Sequence, residues 1–201
     1  MPKGENTRDL IIRKSAELFN QRGYDGCSLS DIMQATGLKK GGIYNHFKNK
    51  DEIALAAFDY SFGLVIRRFR QRLDQDNTSL DKLNSILAVF ESYVYDPVIE
   101  GGCPVYNTAV NAAQHSQLKQ RALEAYKMLH TYISIKIDEG KESGEFQAAV
   151  NSDEMATVLI SSLDGAVVMS RLNHHLGAIE TTIRFIREQI IQNMLVQTTL
   201  H

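Results

Sequence analysis

A chain of 201 residues has room for one domain, or for a small module joined to a larger one. With 43% hydrophobic and 23% charged residues, no tryptophan and three prolines, its composition excludes disordered and collagen-like architectures. Apolar runs fall short of the ~20 residues a membrane span needs, and the start MPKGENTRD has no signal-peptide core, so the expectation is a cytoplasmic protein with no membrane partner.

The net charge of −2 hides an asymmetry. Residues 1–50 carry nine Lys/Arg against five Asp/Glu, and the remainder is acidic. That layout suits a small polyanion-binding head on a separate regulatory body. Cys27 and Cys103 form neither a CxxC pair nor a His/Cys cluster with metal spacing, which argues against a disulfide framework and against a metal site.

Leu10, Ile11, Leu18 and Phe19 predict a first helix from about residue 7, with Gly23 as its stop. Ser28 stands three residues before Asp31 as an N-cap, Leu29, Ile32 and Met33 give the stripe of a short second helix, and Gly37 ends it. A third helix is expected around 39–46, with Leu38, Ile43 and Phe47 facing inward; helix, glycine turn, helix is the helix-turn-helix arrangement. Asp51 or Asn49 caps a long fourth helix. After a turn at 75–79, helices are expected over 80–95, 105–113, 118–142, 155–172 and 179–196, with Ser152 or Asp153 capping the penultimate one. Strand-like alternation is missing, so the predicted class is all-α.

The third helix contains Gly41 and Gly42, each costing about 1 kcal/mol relative to alanine in a helix interior. Their neighbours Lys39, Lys40, Tyr44, Asn45, His46, Lys48 and Lys50 suit a polyanion better than a protein core. With Leu38, Ile43 and Phe47 inward the glycines face outward, where bare backbone permits close approach to DNA. The alternative is that they accommodate tight helix–helix packing.

Residues 7–55 resemble the DNA-binding head of the TetR family of bacterial transcription regulators. The resemblance is carried by Ile11 to Tyr24, by Ser28-Leu29-Ser30-Asp31-Ile32, by Ala35-Thr36-Gly37-Leu38, and by the run from Ile43 through Asn45, Phe47 and Asp51 to Ile53. Lys39 departs from it, standing where the family more often starts the recognition helix with a small hydroxyl residue. What the resemblance implies is a three-helix DNA-binding domain over 1–50 and a helical effector-binding and dimerisation domain over 51–201. The implied function is a dimeric, sequence-specific regulator, a repressor released from a pseudo-palindromic operator by a small-molecule effector, with no cofactor and no enzymatic activity.

Chemistry assigns roles within that frame. Tyr44, His46, Lys50 and Ser28 are candidates for phosphate contacts, which set register, whereas Lys40 and Asn45 are candidates for base edges. In the body, the apolar faces of 155–172 and 179–196 exceed what one antiparallel neighbour covers, which points to a two-fold four-helix interface. Phe90, Tyr93, Cys103, Tyr106, Tyr126, Met128, Leu129 and Tyr132 are the candidate effector-pocket residues, against the alternative that they are plain core.

The segment GGCPVYNTA, 101–109, resembles the entry to the sixth helix in one subgroup of these regulators, some of which sense oxidants or electrophiles through a cysteine. Pro104 suits a first helical position and puts Cys103 at the N-cap, where the helix dipole favours thiolate. A thiol-based sensor is therefore the alternative function. An enzyme assembled from Cys103, His115 and the adjacent His174 and His175 has no local motif behind it.

Overall fold

Helical periodicity and local capping account for nearly every element. The structure, a computed structural model, describes residues 7–112 and 114–196. Helix α1 runs Thr7–Arg22, and α2, Leu29–Thr36, starts on a complete capping box. Ser28 Oγ accepts from the Asp31 N–H at 3.2 Å, and the Asp31 carboxylate accepts from the Ser28 N–H at 2.7 Å. Gly37, at φ 71°, closes α2 in the left-handed region.

Helix α3 is shorter than expected, Lys40–Tyr44. Lys39 occupies the N-cap without a side-chain cap bond, and Asn45 closes the other end through its backbone N–H on Gly41 O. In α4, Lys50–Leu73, Asn49 rather than Asp51 serves as the cap, its side-chain oxygen accepting from the Glu52 N–H at 2.9 Å. The Asp51 carboxylate instead accepts from the Tyr24 hydroxyl.

Helices α5, Ser79–Tyr95, α6, Pro104–Asn111, and α7, Ser116–Glu142, follow. The expected end of the sixth helix at Ala113 lies outside the described residues. Helix α8, Ser152–Leu172, is capped by Asn151, which accepts from the N–H groups of Asp153 and Glu154, and not by Ser152 or Asp153. Ser152 is drawn away because its hydroxyl donates to Asp138 of α7 at 2.5 Å. The final segment is less regular than the expected helix over 179–196. Helix α9, Gly177–Phe185, passes into a π-helical stretch, Ile186–Ile191, and then one turn of α10, Gln192–Met194. An isolated antiparallel bridge, Phe146 to Leu195, replaces further helix, and strands are otherwise absent among the described residues.

The chain packs as two compact units, one of residues up to Ile66 with Pro97–Ala125, the other of Arg67–Asp96 with residues from Tyr126 on. Within the first unit, Ala57 of α4 and Ile99 pack against Ala16 of α1. In the first unit, Ile11, Ile12, Cys27, Ile32, Ile43, Phe47 and Ile53 form one buried cluster. In the second, Phe90 of α5 meets Phe69 edge-on with ring centroids 6.1 Å apart, and Tyr132 of α7 meets the same Phe69 at 6.3 Å.

Candidate nucleic-acid interface

The recognition segment is built from the inside outward. Ile43 and Phe47 are fully buried in the α1–α2–α3 cluster, so a helical repeat turns Lys40, Gly41, Tyr44 and Asn45 to the opposite side, where all four are exposed. Lys39 and Lys48 are exposed as well, and His46 is half-buried.

The two glycines are not there for packing. A Cβ added at Gly41 meets nothing within 4 Å, and one added at Gly42 reaches only Leu38 side-chain carbons at 3.7 and 3.8 Å, an ordinary contact. Tight helix–helix packing is thereby removed as their explanation, and the intrinsic cost of two helical glycines stands without an intramolecular benefit.

On this face Lys40 Nζ lies 5.7 Å from the centroid of the Tyr44 ring, one turn along α3. Tyr44 is 42% exposed. The Asn45 side chain makes no hydrogen bond within the described residues, which leaves both its donor and its acceptor available.

Two sequence candidates are more occupied than expected. The Ser28 hydroxyl donates to Asp31 at 2.5 Å as well as capping α2, and Asp31, whose carboxyl is held below the usual range chiefly by that bond, already places a negative charge at the helix start. Lys50 is half-buried: its Nζ donates to Tyr24 O at 2.7 Å and sits 3.9 Å from the Tyr24 ring centroid.

Tyr24, the last residue of the first matching motif, carries more contacts than its position suggests. It is a half-buried hub, with Lys50 and the His115 ring each 3.9 Å from its ring centroid, Phe19 stacked at 6.0 Å and its hydroxyl on Asp51. Burial, reinforced by Asp51, pushes its phenol pKa up. His115 Nε2 lies 3.1 Å from Asp25 Oδ1 beside it.

The effector-pocket candidates are distributed over both units. Tyr106 and Cys103 belong to the first unit, Tyr106 exposed and Cys103 buried at the N-cap of α6 with Pro104 at its first position. In the second unit Phe90, Tyr93 and Leu129 are buried, with the Phe90 and Tyr93 rings edge-on at 5.7 Å, while Tyr126 and Tyr132 are half-buried. Met128 is 56% exposed. Within the first unit, a cavity of about 30 Å³ lies among α1, α4 and α6, lined by residues including Ala16, Asn20, Ala57, Phe58, Asn107 and Leu118. None of the eight candidates lines it.

A profile described as bacterial regulatory proteins, tetR family, matches residues 11–57, and one described as tetracyclin repressor-like, C-terminal domain, matches residues 79–186. The chain belongs to the TetR family. A TetR transcriptional regulator from Chloroflexus aurantiacus is 35% identical with a TM-score of 0.89, covering 98% of this chain and 100% of that one. A TetR-family regulator from Cytophaga hutchinsonii is 30% identical with a TM-score of 0.87, covering 98% and 99%. The biofilm operon negative transcriptional regulator IcaR of Staphylococcus epidermidis is 26% identical over 183 residues, 91% of this chain and 94% of that protein. The TetR family consists of transcription regulators, not enzymes, and the outward face of α3 stands within the segment that matches the family's N-terminal profile.

Proposed function

We propose that this protein is a dimeric, sequence-specific repressor that binds a pseudo-palindromic operator and is released by a small-molecule effector, with residues 1–50 holding DNA and residues 51–201 serving dimerisation and effector binding. The observation that carries the reading is the outward face of α3, where Gly41 offers bare backbone in open space between Lys40, Tyr44 and Asn45. Asn45 and Lys40 read base edges, while Tyr44 and His46 hold phosphates and set register. Ser28 and Lys50 contribute to phosphate binding only by giving up part of the contacts they make within the protein.

Dimerisation is supported by α8. This helix is long and apolar, yet less than half of its apolar stretch is buried within the chain. Val158, Met169 and Leu172 are exposed along it, and a Cβ at Gly165 would meet nothing within 4 Å. Together with exposed Phe185 on α9 this is surface that a two-fold copy covers. Two recognition helices so related address half-sites about one helical turn, ~34 Å, apart.

Selection of a duplex from a randomised pool, followed by footprinting and sedimentation, tests the reading. A two-fold symmetric footprint bound by a dimer is the expected result. A monomer protecting a single asymmetric half-site overturns it. A second reading, a thiol-based sensor acting through Cys103, is favoured by one observation: the cysteine stands at the α6 N-cap, where the helix N-terminus stabilises a thiolate.

A further inference from the structure

The paired glycines of the GGCP segment have a partner on α1. Asn20, near the end of α1 and buried, donates from Nδ2 to Glu100 O at 2.8 Å and to Gly102 O at 3.1 Å. Asn107 of α6 returns the contact, its Nδ2 lying 2.8 Å from Gly101 O, 3.1 Å from Asn20 O and 3.2 Å from Asn20 Oδ1. Asn111, one turn on, donates to Asn107 O at 2.9 Å.

Gly101 and Gly102 stand at φ 111° and 92°, in the region L side chains rarely adopt, and a Cβ at Gly101 would lie 2.6 Å from Asn20 O. Both the double glycine and the asparagine pair are therefore used to press one loop onto the end of α1. The chain returns to the first unit at Pro97 and leaves it within α7 after Ala125, so this inserted segment is joined covalently to the second unit at both ends.

We infer that Asn20 and Asn107 are positioning residues for operator binding: their shared amide joint holds the inserted segment Pro97–Ala125 to α1 in the register that the DNA-binding state requires. The inference rests on the proposed sequence-specific DNA binding. Its physical content is that neither amide touches DNA, yet displacement of the α6 start reaches the recognition head through this joint. Specific binding needs the head in a defined pose, whereas non-specific binding needs only charge. The joint therefore governs the ratio of the two.

Asn107→Asp is the sharp variant, since it keeps the shape and turns a carboxylate toward three oxygens that now accept from an amide. Gly101→Ala attacks the same joint from the loop side. Gly144→Ala is the control, because Gly144 is also at positive φ, 79°, but an added Cβ there meets nothing within 4 Å.

Affinities for a duplex enriched by the wild-type protein and for random DNA are measured beside thermal melting. Expected is at least a tenfold fall in the specific-to-random ratio for Asn107→Asp and Gly101→Ala, with random-DNA affinity within twofold of wild type and the ratio unchanged in Gly144→Ala. A wild-type ratio in the two joint variants overturns the inference. Should Asn107→Asp fail to fold, Asn107→Ala and Gly101→Ala carry the same comparison. Wild-type protein without any operator preference would refute the DNA-binding reading itself. That outcome overturns the inference with it, whereas a wild-type ratio in the joint variants of an operator-selective protein overturns the inference alone.

Discussion

Lys50 holds Tyr24 by two contacts at once, its ammonium donating to the Tyr24 carbonyl at 2.7 Å and lying 3.9 Å from the centroid of the ring. A lysine that served phosphate alone would be dispensable for the fold. Lys50→Ala is expected to lower stability by about 1–2 kcal/mol, from a cation–π contact and a charge-assisted hydrogen bond at a half-buried site, and to weaken binding to all DNA sequences alike. Thermal melting without DNA checks the first part, and an unchanged melting curve would return Lys50 to a purely DNA-facing role.

Gly41 separates the needs of the fold from those of DNA. Because an added Cβ there meets nothing, Gly41→Ala is expected to leave the fold unharmed or stabilise it by up to about 1 kcal/mol, the difference in helix propensity. The same methyl group stands where backbone approaches the major groove, so operator affinity should fall. A variant that loses stability and keeps affinity contradicts both halves.

Asn45 and Tyr44 are adjacent and exposed but differ in chemistry. Asn45→Ala is expected to relax discrimination at one base position by about 1–3 kcal/mol, and Tyr44→Phe to weaken binding uniformly. Binding-site profiles of the two variants provide the check. An unchanged profile in Asn45→Ala with an altered one in Tyr44→Phe means the roles are reversed.

Glu145 caps α5 from a distance, its two carboxylate oxygens accepting from the N–H groups of Ser79 at 3.0 Å and Leu80 at 3.1 Å. Partial burial pushes its pKa up, but the two N–H groups and the Ser143 hydroxyl outweigh this and hold it below the usual value. The folded state therefore binds the proton less readily than the unfolded one. The resulting stabilisation is present above the ordinary glutamate range, about 4.3, and is lost as pH falls through the depressed folded value. Glu145→Gln is expected to cost about 0.5–1 kcal/mol at neutral pH, allowing for solvent screening, and progressively less as pH falls through the depressed folded value. A deficit independent of pH would assign the loss to packing.

Cys103 and Cys27 are both buried, but in different settings. Burial pushes the Cys27 thiol up, and Asp31 adds to it, whereas Cys103 sits at a helix N-terminus. Faster alkylation of Cys103 than of Cys27, followed by mass spectrometry beside operator release, is the outcome expected from the sensor reading. Equal rates, or intact electrophile-induced release in Cys103→Ser, leave a non-covalent effector as the only signal.

Much of the head was legible in the linear chain because its determinants are local. Ser28 and Asp31 are three residues apart, Gly37 supplies its own left-handed turn, and the 3.6-residue repeat that turns Ile43 and Phe47 inward turns Gly41 and Asn45 outward. Each of these choices is settled within one or two turns of helix. Competition for a partner is not. Asn49 and Asp51 both suited the cap of α4, and Tyr24, 27 residues earlier than Asp51, engaged it; Ser152 suited the cap of α8 until Asp138 took its hydroxyl.

The same holds for the residues that link segments. Nothing near Asn20 announces Asn107, 87 positions away, and nothing near Met128 shows that its side of α7 is left uncovered. Periodicity names the face of a helix, but which neighbour that face meets depends on where other helices lie. The sequence alone determined the helices of the head, their outward residues and the glycines among them. Tertiary structure decided which polar side chains were already spoken for, because a hydrogen-bonding group satisfied within the protein must give up that contact before it can serve a ligand.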